Sequence, residues 1–372
     1  MKILVSMGLA DSSLRSLIAP IAMLDGVHGI VIVRDSPGPD IPKVTYATPP
    51  RWSVGMPVLK TFLKFLILLS LAIRTRPDVI HGYLLVPNGL MACVAGTLTR
   101  RNTGVSFLAG PIELSMVTFL LGGSRVGTCA YNRPLPKVRG INRILLFVTK
   151  RFSYITVTGR YTREFLLRNG IPGERISIIP HAIDPVNCPE STPKSYDVLF
   201  VGRLAKVKHV ETLVQAIGIA RGHDPPLKAA IIGKGPEEQG LKALSDELGT
   251  SALIEFLGYV PDVYYWYNRA RMSIIPSERE GFPYAAIESL SCGCPVIASA
   301  CGDITDVLIP GVNGVLVDDY SDSPAFAREM MRLIDSPGEL QELSRNTVKS
   351  IAKVNREEVS RVWMGILEGL ER

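Results

Sequence analysis

Two glutamates separated by seven residues mark the part of the sequence best suited to chemistry. Glu280 lies in a turn after the apolar run that ends at Ile275, and Glu288 lies in a helical segment that begins near Pro283. Proline suits the first turn of a helix because no N–H partner is needed there. Two carboxylates at the mouth of a cleft could accept hydrogen bonds from several sugar hydroxyls. The alternative is structural, with Glu280 beside a helix dipole and Glu288 at the edge of the core.

A second group of residues, from Gly202 to Lys208, is basic and follows another apolar run. Gly202 allows a tight turn after the predicted strand, and the start of the next helix offers free N–H groups. The forked guanidinium of Arg203 suits phosphate oxygens, while Lys208 supplies a point charge. The pattern therefore predicts an anion site, and a solvated basic loop is the alternative.

Short β-branched runs alternate with helix-patterned segments along the chain, which is typical of parallel sheets with crossover helices. In the first half, the predicted strands are Lys2–Ser6, Gly29–Arg34, the surroundings of Val79–Ile80, Val105–Leu108, Tyr154–Val157 and Ser177–Ile179. In the second half, they are Asp197–Val201, Lys228–Ile232, Leu253–Leu257, Met272–Ile275, Val296–Ala298 and Gly314–Val317. Ligands bind beyond the carboxyl ends of such strands, so both groups of candidate residues should lie at that edge.

The length and composition favour two folded domains. The chain has 372 residues, of which 47% are hydrophobic and 20% charged, and this argues against disorder. The net charge of +6 is uneven, with +13 over residues 1–185 and −7 over the remainder. We predict a first domain (1–185), a linker (186–195), a second domain (196–354) and a C-terminal helix (355–372) that packs back on the first domain. The expected fold is α/β, with two Rossmann-like doubly wound domains facing a central cleft.

The stretch Pro276–Ala298 resembles the E-x7-E signature of glycosyltransferase family 4, which comprises retaining enzymes of the GT-B fold. P-S-x-x-E-G-F-P stands before the helix, and C-G-x-P-V-I-A stands after it. The resemblance extends to Val201–Leu204 with Lys208, which is similar to the family's G-R-L…K loop. Ile231–Pro236 is similar to its I-G-x-G-P turn, and Phe256–Val260 to its F-x-G-x-V strand.

The resemblance implies a hexosyltransferase-type enzyme that moves a sugar from a nucleotide-diphosphate donor, expected to be a UDP-sugar. It also implies that the N-terminal domain (1–185) binds the acceptor and that the C-terminal domain (196–354) binds the nucleotide-sugar. Arg203 and Lys208 would neutralise the departing diphosphate, and Glu280 would hold hydroxyls of the donor sugar. Glu288 would bind the ribose hydroxyls. Further donor contacts are implied for Gly8, Gly202, Tyr259, Val260, Gly281 and Phe282.

The expected reaction uses neither a metal nor a cofactor, because no D-x-D signature is present and the two cations would replace the ion. The N-terminal half departs from the family pattern, with Tyr83 in place of a histidine and no histidine in Val105–Gly110. A nucleotide-sugar epimerase of similar fold and a non-catalytic partner that binds a nucleotide-sugar are therefore alternatives.

The basic half suggests a further partner. Residues 51–151 contain fourteen Lys or Arg and two acids, and Leu59–Arg74 is apolar with Lys60 and Lys64 one turn apart. One interpretation is a face on anionic lipid, which would suit a lipid-linked acceptor. The other is a buried crossover helix. A nucleic-acid partner is not expected, since no basic motif with interleaved aromatic residues occurs.

The remaining signals concern location. The start of the chain has the pattern of a strand rather than a signal peptide, and Phe65–Ile73 falls far short of the roughly 20 residues that span a bilayer. The six cysteines do not form the pattern of a disulfide framework. We therefore expect a cytoplasmic enzyme of polysaccharide biosynthesis acting on a glycan or lipid-linked acceptor. Peripheral association with the inner face of the membrane is a further expectation.

Overall fold

The computed structural model describes residues 1–53, 55–115, 142–182, 192–281 and 283–371. Within these residues, seven parallel strands form the first sheet. They are β1 (Lys2–Ser6), β2 (Gly29–Val33), β3 (Val44–Ala47), β4 (Val79–Tyr83), β5 (Asn102–Phe107), β6 (Tyr154–Val157) and β7 (Ile176–Ile178). Their spatial order is β3-β2-β1-β4-β5-β6-β7. The central strands are buried on both faces, which explains their continuous apolar runs.

The second sheet has six parallel strands in the described part of the chain. They are β8 (Tyr196–Val201), β9 (Ala229–Ile232), β10 (Ile254–Gly258), β11 (Ala270–Ile275), β12 (Val296–Ser299) and β13 (Gly314–Val317). The order is β10-β9-β8-β11-β12-β13, so the strand order reverses between β8 and β11. At such a switch point the loops on either side diverge and leave a crevice for a ligand.

Helices cover both sheets. Those that accompany the first sheet are α1 (Asp11–Ala22), α2 (Pro57–Thr75), α3 (Leu90–Thr99), α4 (Asn142–Thr149) and α5 (Arg160–Arg168). Those that accompany the second sheet are α6 (Val210–Ile219), α7 (Glu238–Glu247), α8 (Tyr264–Tyr267), α9 (Tyr284–Ser291), α10 (Ser323–Asp335) and α11 (Pro337–Ser350). The last helix is α12 (Arg356–Glu371). None of the helices in the described ranges is both long and apolar enough to cross a membrane.

The chain divides into two compact units. The first contains the described residues up to 182 together with those from Val354 onward, and the second contains the described residues from 192 to Lys353. The last helix therefore belongs to the first unit. Trp363 and Leu367 of α12 are buried with residues of α1 and β1, and Ser360 Oγ donates a hydrogen bond of 2.8 Å to the carbonyl of Pro20.

The fold confirms the predicted α/β class. Each predicted strand is present, with ends that agree or differ by no more than three residues. The pattern missed β3, because its four residues are only partly buried and prolines surround it. The predicted domain functions and boundaries stay predictions, and residues 186–191 of the predicted linker lie outside the described residues.

Trp363 provides a test of how α12 is attached. Its ring lies 5.5 Å from that of His81 in an edge arrangement, inside the core of the first unit. We expect Trp363→Ala to lower the unfolding free energy of this unit by about 3–5 kcal/mol, because a large cavity would remain. Urea unfolding followed by circular dichroism measures the change. Met364→Ala, at the exposed neighbouring position, is the control. Equal losses in both variants would contradict this packing.

Candidate functional site

An ion pair joins the two loops that sequence analysis singled out. Lys208 Nζ donates a hydrogen bond of 2.6 Å to Glu280 Oε1, and Ser277 Oγ donates one of 2.7 Å to the same oxygen. Lys208 follows β8, whereas Glu280 follows β11, and these two strands are neighbours at the switch point of the sheet. A hydrogen bond between two charged groups is about twice as strong as a neutral one. The pair therefore fixes the relative position of the two loops.

The backbone of the same loops is also connected. The amide of Glu278 donates a 3.0 Å hydrogen bond to the carbonyl of Val207. The ring of the next residue but one, His209, lies 3.0 Å from a carboxylate oxygen of Glu211 and 3.7 Å from one of Glu278. His209 has a positive φ of 45°, which is unusual for a residue with a side chain. These contacts hold the backbone on both sides of Lys208.

Arg203 lies in the same loop but has no side-chain partner among the described residues. It is exposed, and it forms neither a hydrogen bond nor an ion pair through its side chain with any described residue. The loop itself is anchored, because the amide of Leu204 donates a 3.0 Å hydrogen bond to the carbonyl of Lys234. Close approach to the β9 loop requires Gly233, where a Cβ would come within 1.8 Å of the carbonyl oxygen of Gly202. Arg203 thus extends a free guanidinium from a well-held backbone.

A second glycine supports the loop that carries Glu280. Gly302 has a φ of +54°, and a Cβ at this position would lie 1.8 Å from the carbonyl oxygen of Glu280. The segment after β12 can therefore pack against the Glu280 backbone only if residue 302 has no side chain. Lys208 restrains Glu280 from the loop after β8, whereas Gly302 restrains it from the segment after β12. The two contacts thus come from different strands of the sheet.

Glu288 is the fifth residue of α9 and is partly buried. Burial raises the pKa of its carboxyl to about 7. Its carboxyl accepts no hydrogen bond from a described residue, although its charge contributes, after burial, to the raised pKa of Tyr267. The Tyr267 hydroxyl is occupied elsewhere, since it donates to the carbonyl of Ala285 at 3.0 Å. A partly buried carboxyl with a shifted pKa and no partner is a candidate for ligand binding.

The other predicted residues occupy several places. Tyr259 and Val260 follow β10, and Tyr259 is 73% exposed. Gly281 follows Glu280, while Phe282 lies outside the described residues. Gly8 follows β1 and belongs to the first unit, whereas the other described site residues belong to the second unit. Among the predicted residues that the structure describes, Lys208 and Glu280 alone are brought into side-chain contact, with Gly202 and Arg203 on the loop that leads to Lys208.

Sequence analysis assigned no role to several residues that help to position Lys208 and Glu280. Ser277 binds Glu280, His209 follows Lys208, and Gly302 supports the Glu280 backbone. Lys234 adds a cation to the β9 loop, and the signal for it was its place in the turn Gly233–Gly235. Ser277 stands in the P-S-x-x-E-G-F-P motif, which assigned it no role, and the roles of His209 and Gly302 depend on contacts between distant parts of the chain.

The histidines and a buried glutamate of the first unit have structural partners. The His81 ring nitrogens lie 2.9 Å from the Tyr154 hydroxyl and 2.8 Å from Ser106 Oγ, and burial lowers the His81 pKa to about 3. Burial also lowers the pKa of His181 to about 3. Glu113 accepts 2.7 Å hydrogen bonds from the amides of Leu85, Leu108 and Ala109, and burial raises its pKa to about 7. Glu113 thus orders the backbone at 108–109, where the sequence lacks a histidine.

Within the described part of the chain, neither a cysteine nor a group of metal ligands belongs to the site. Cys93, Cys292, Cys294 and Cys301 are free and buried, and Cys129 and Cys188 lie outside the described residues. Across the described ranges, no three His, Cys, Asp or Glu side chains gather as metal ligands would.

Comparison with solved structures defines the class of fold. HepE from Anabaena in complex with UDP-glucose is 17% identical, with a TM-score of 0.75, and the match covers 100% of this chain and 99% of that one. The lipopolysaccharide outer core galactosyltransferase WaaB is 18% identical, with a TM-score of 0.73 and coverage of 99% of each chain. The protein therefore has the GT-B fold.

Two family models match successive parts of the sequence. "Glycosyltransferase Family 4" matches residues 25–187, and "Glycosyl transferases group 1" matches residues 189–350. The chain belongs to glycosyltransferase family 4, as its motifs predicted. D-inositol 3-phosphate glycosyltransferase of Thermomonospora curvata is 33% identical over 167 residues. That match spans 42% of this chain and 38% of the relative.

The support of Glu280 by Gly302 can be tested by adding a methyl group. We expect Gly302→Ala to lower the unfolding free energy more than Gly311→Ala, with both measured by urea unfolding. Both glycines have positive φ, so both variants carry backbone strain of about 1–2 kcal/mol. Only residue 302 would also clash with the Glu280 backbone, since nothing lies within 4 Å of a Cβ at 311. Equal losses would show that this contact does not restrain the loop.

The raised pKa of Glu288 has a consequence for stability. The folded state holds the proton up to about pH 7, whereas an unfolded glutamate releases it near pH 4.5. The contribution of Glu288 is therefore fully present below pH 4.5 and is lost as the pH rises through 7. We expect the melting temperature of the wild type, relative to Glu288→Gln, to be higher at pH 5 than at pH 8. Glu247→Gln, on the exposed side of α7, controls for the loss of a carboxylate. A difference that does not vary with pH would contradict the shift.

Proposed function

We propose that the protein is a retaining glycosyltransferase that moves a sugar from a nucleotide-diphosphate donor, a UDP-sugar, to a glycan or lipid-linked acceptor. The observation that carries the proposal is the Lys208–Glu280 ion pair at the switch point of the second sheet, with the exposed guanidinium of Arg203 on the loop that leads to Lys208. Membership of glycosyltransferase family 4 supports it. The fold is shared with HepE, whose structure was solved with UDP-glucose.

The two cations would bind the diphosphate of the donor. An ammonium group has three N–H donors, and among the described residues only Glu280 engages one of those on Lys208, which leaves two for phosphate oxygens. Arg203 has no competing partner among the described residues, and its planar fork can bind two oxygens at once. Negative charge grows on the leaving diphosphate as the anomeric bond breaks, so preorganised cations at this point lower the barrier.

Glu280 would bind hydroxyls of the donor sugar. Oε1 accepts both of its hydrogen bonds, from Lys208 and Ser277, which leaves Oε2 without a donor from any described residue. Oε2 is therefore available to the sugar. The backbone of Gly281 and Phe282 would add contacts to the same sugar.

The remaining parts of the donor would bind along the same edge. Glu288 would accept hydrogen bonds from the ribose hydroxyls, with its carboxyl unpaired in the described structure. The backbone of Tyr259 and Val260 would face the base, and Gly202 would let the diphosphate approach the end of β8. Binding of hydroxyls that favour the ionised carboxylate would lower the raised pKa of Glu288.

We further propose front-side departure and attack, without a metal or cofactor. Arg203 and Lys208 supply the positive charge that the leaving diphosphate needs. The acceptor would bind at the carboxyl edge of the first sheet, where Gly8 follows β1. A cytoplasmic location, a role in polysaccharide biosynthesis and association with an anionic membrane surface are parts of the same proposal.

A panel of nucleotide-sugars tests the function. We expect at least one UDP-sugar to raise the melting temperature, since a ligand that binds only the folded state stabilises it. Arg203→Ala should weaken UDP binding and lower turnover by about 100- to 1000-fold, the typical cost of removing one group that stabilises developing charge. Lys206→Ala removes an exposed cation from the same loop and is the matched control.

Three outcomes would contradict the proposed function or favour another one. Unchanged turnover in Arg203→Ala would remove its role at the diphosphate. Formation of an epimer without any acceptor would favour a nucleotide-sugar epimerase. Tight donor binding without transfer to any glycan or lipid-linked acceptor would favour a non-catalytic partner.

A further inference from the structure

Helix α2 is apolar on the side that faces away from the sheet. Leu68 and Ala72 point into the core, where they pack with residues of β1, β2 and β4. On the opposite side, Leu59, Phe62, Leu66 and Ile73 are exposed, Phe62 to 55% and Ile73 to 60%. A helix that covers a sheet normally presents polar residues to water. We call these four residues the outer face of α2.

The apolar surface continues beyond the four residues. Met56 and Val58 are also exposed, the latter to 83%, and with Leu59 and Phe62 they line an open depression of about 440 Å³ at the start of α2. Val94 and Leu98 of α3, which packs beside α2 on the same side of the sheet, are exposed as well. An apolar surface of this extent marks an interaction site more often than an accident of packing.

The two lysines of α2 do not belong to this surface. Lys60 Nζ lies 2.9 Å from one oxygen of Asp35, and Lys64 Nζ lies 3.0 Å from the other. The side chain of Lys64 is nearly buried. Asp35, just after β2, therefore draws both lysines toward the sheet, and their charge is paired there.

The exposed charge around the outer face of α2 is nevertheless positive. Arg51 precedes the helix, Arg74 lies in its last turn and Arg76 follows it, and all three are exposed. The two acids of residues 51–151 are engaged elsewhere. Asp78 accepts a 2.7 Å hydrogen bond from the amide of Lys2, and Glu113 is fully buried. The helix has 19 residues and so a length of about 28 Å, with arginines near both ends and apolar residues between them.

We propose that the outer face of α2 docks on the surface of an anionic lipid bilayer, with the helix lying along the interface. Apolar side chains would enter the boundary between headgroups and acyl chains, and the arginines would meet the anionic headgroups. The inference rests on the proposed function, because it concerns how a lipid-linked acceptor is reached. Helix α2 starts at the carboxyl edge of the first sheet, the edge of Gly8, and Lys64 Nζ lies 3.9 Å from the position of a Cβ on Gly8.

Sedimentation with vesicles tests the docking surface. The full chain is mixed at low salt with vesicles of phosphatidylcholine that contain about 30% phosphatidylglycerol, and with vesicles of phosphatidylcholine alone. We expect the wild type to sediment with the anionic vesicles, and the double variant Phe62→Asp/Leu66→Asp to bind them at least about tenfold more weakly. Arg51→Glu/Arg74→Glu should also weaken binding to anionic vesicles, and added salt should reduce the remaining binding.

The controls separate docking from folding and from catalysis. Val348→Asp places a single aspartate on an exposed apolar position of α11 in the second unit, and it should bind as the wild type does. Phe62→Ser/Leu66→Ser, checked by circular dichroism, serves if the aspartate variant does not fold. Wild-type protein that stays in the supernatant, or variants that sediment as it does, would overturn the proposal. Self-association that the same variants abolish, without vesicle binding, would assign the face to a second copy. Donor binding is measured without lipid, so failure here leaves the proposed transfer reaction separately testable.

Discussion

The Lys208–Glu280 ion pair is the interaction on which the account depends. The reversal of strand order between β8 and β11 places the ends of these strands side by side, so residues 72 positions apart in sequence come within 2.6 Å. The pair places a cation and a carboxylate at one point, and each of the two groups can still bind a ligand. Lys208 keeps two N–H donors and Glu280 keeps one oxygen, while Ser277 and Gly302 restrain the carboxylate from other sides.

Much of the fold was predictable because strands in parallel sheets are apolar and short, whereas crossover helices have a different period. The ion pair itself was not predicted, since E-x7-E and G-R-L…K lie in separate parts of the sequence. The family resemblance implied that the two motifs bind the same ligand, but it did not imply that their side chains contact each other. β3 was missed because a partly buried edge strand between prolines lacks alternation. Ser277, His209 and Gly302 were missed because their roles follow from contacts that only the folded chain makes.

The structure also shows where part of the positive charge in the first half of the sequence is neutralised. Lys60 and Lys64 are neutralised locally by Asp35, so the count of basic residues overstates the charge of α2. The unusual feature is the lack of polar residues on the outer face of that helix. Within a run as apolar as Phe65–Ile73, the sequence pattern cannot separate the residues that pack on the sheet from those that face outward, because the helical period shows only when the two sides differ.

We propose that Lys208 binds both Glu280 and the diphosphate of the donor. A double-mutant cycle on UDP affinity, measured by calorimetry for the wild type, Lys208→Met, Glu280→Gln and the double variant, tests it most directly. We expect Lys208→Met to weaken UDP binding by about tenfold or more, and we expect its effect to change by at least about 1 kcal/mol when Glu280 is replaced. Unchanged UDP affinity in Lys208→Met, or identical effects in both backgrounds, would contradict the account.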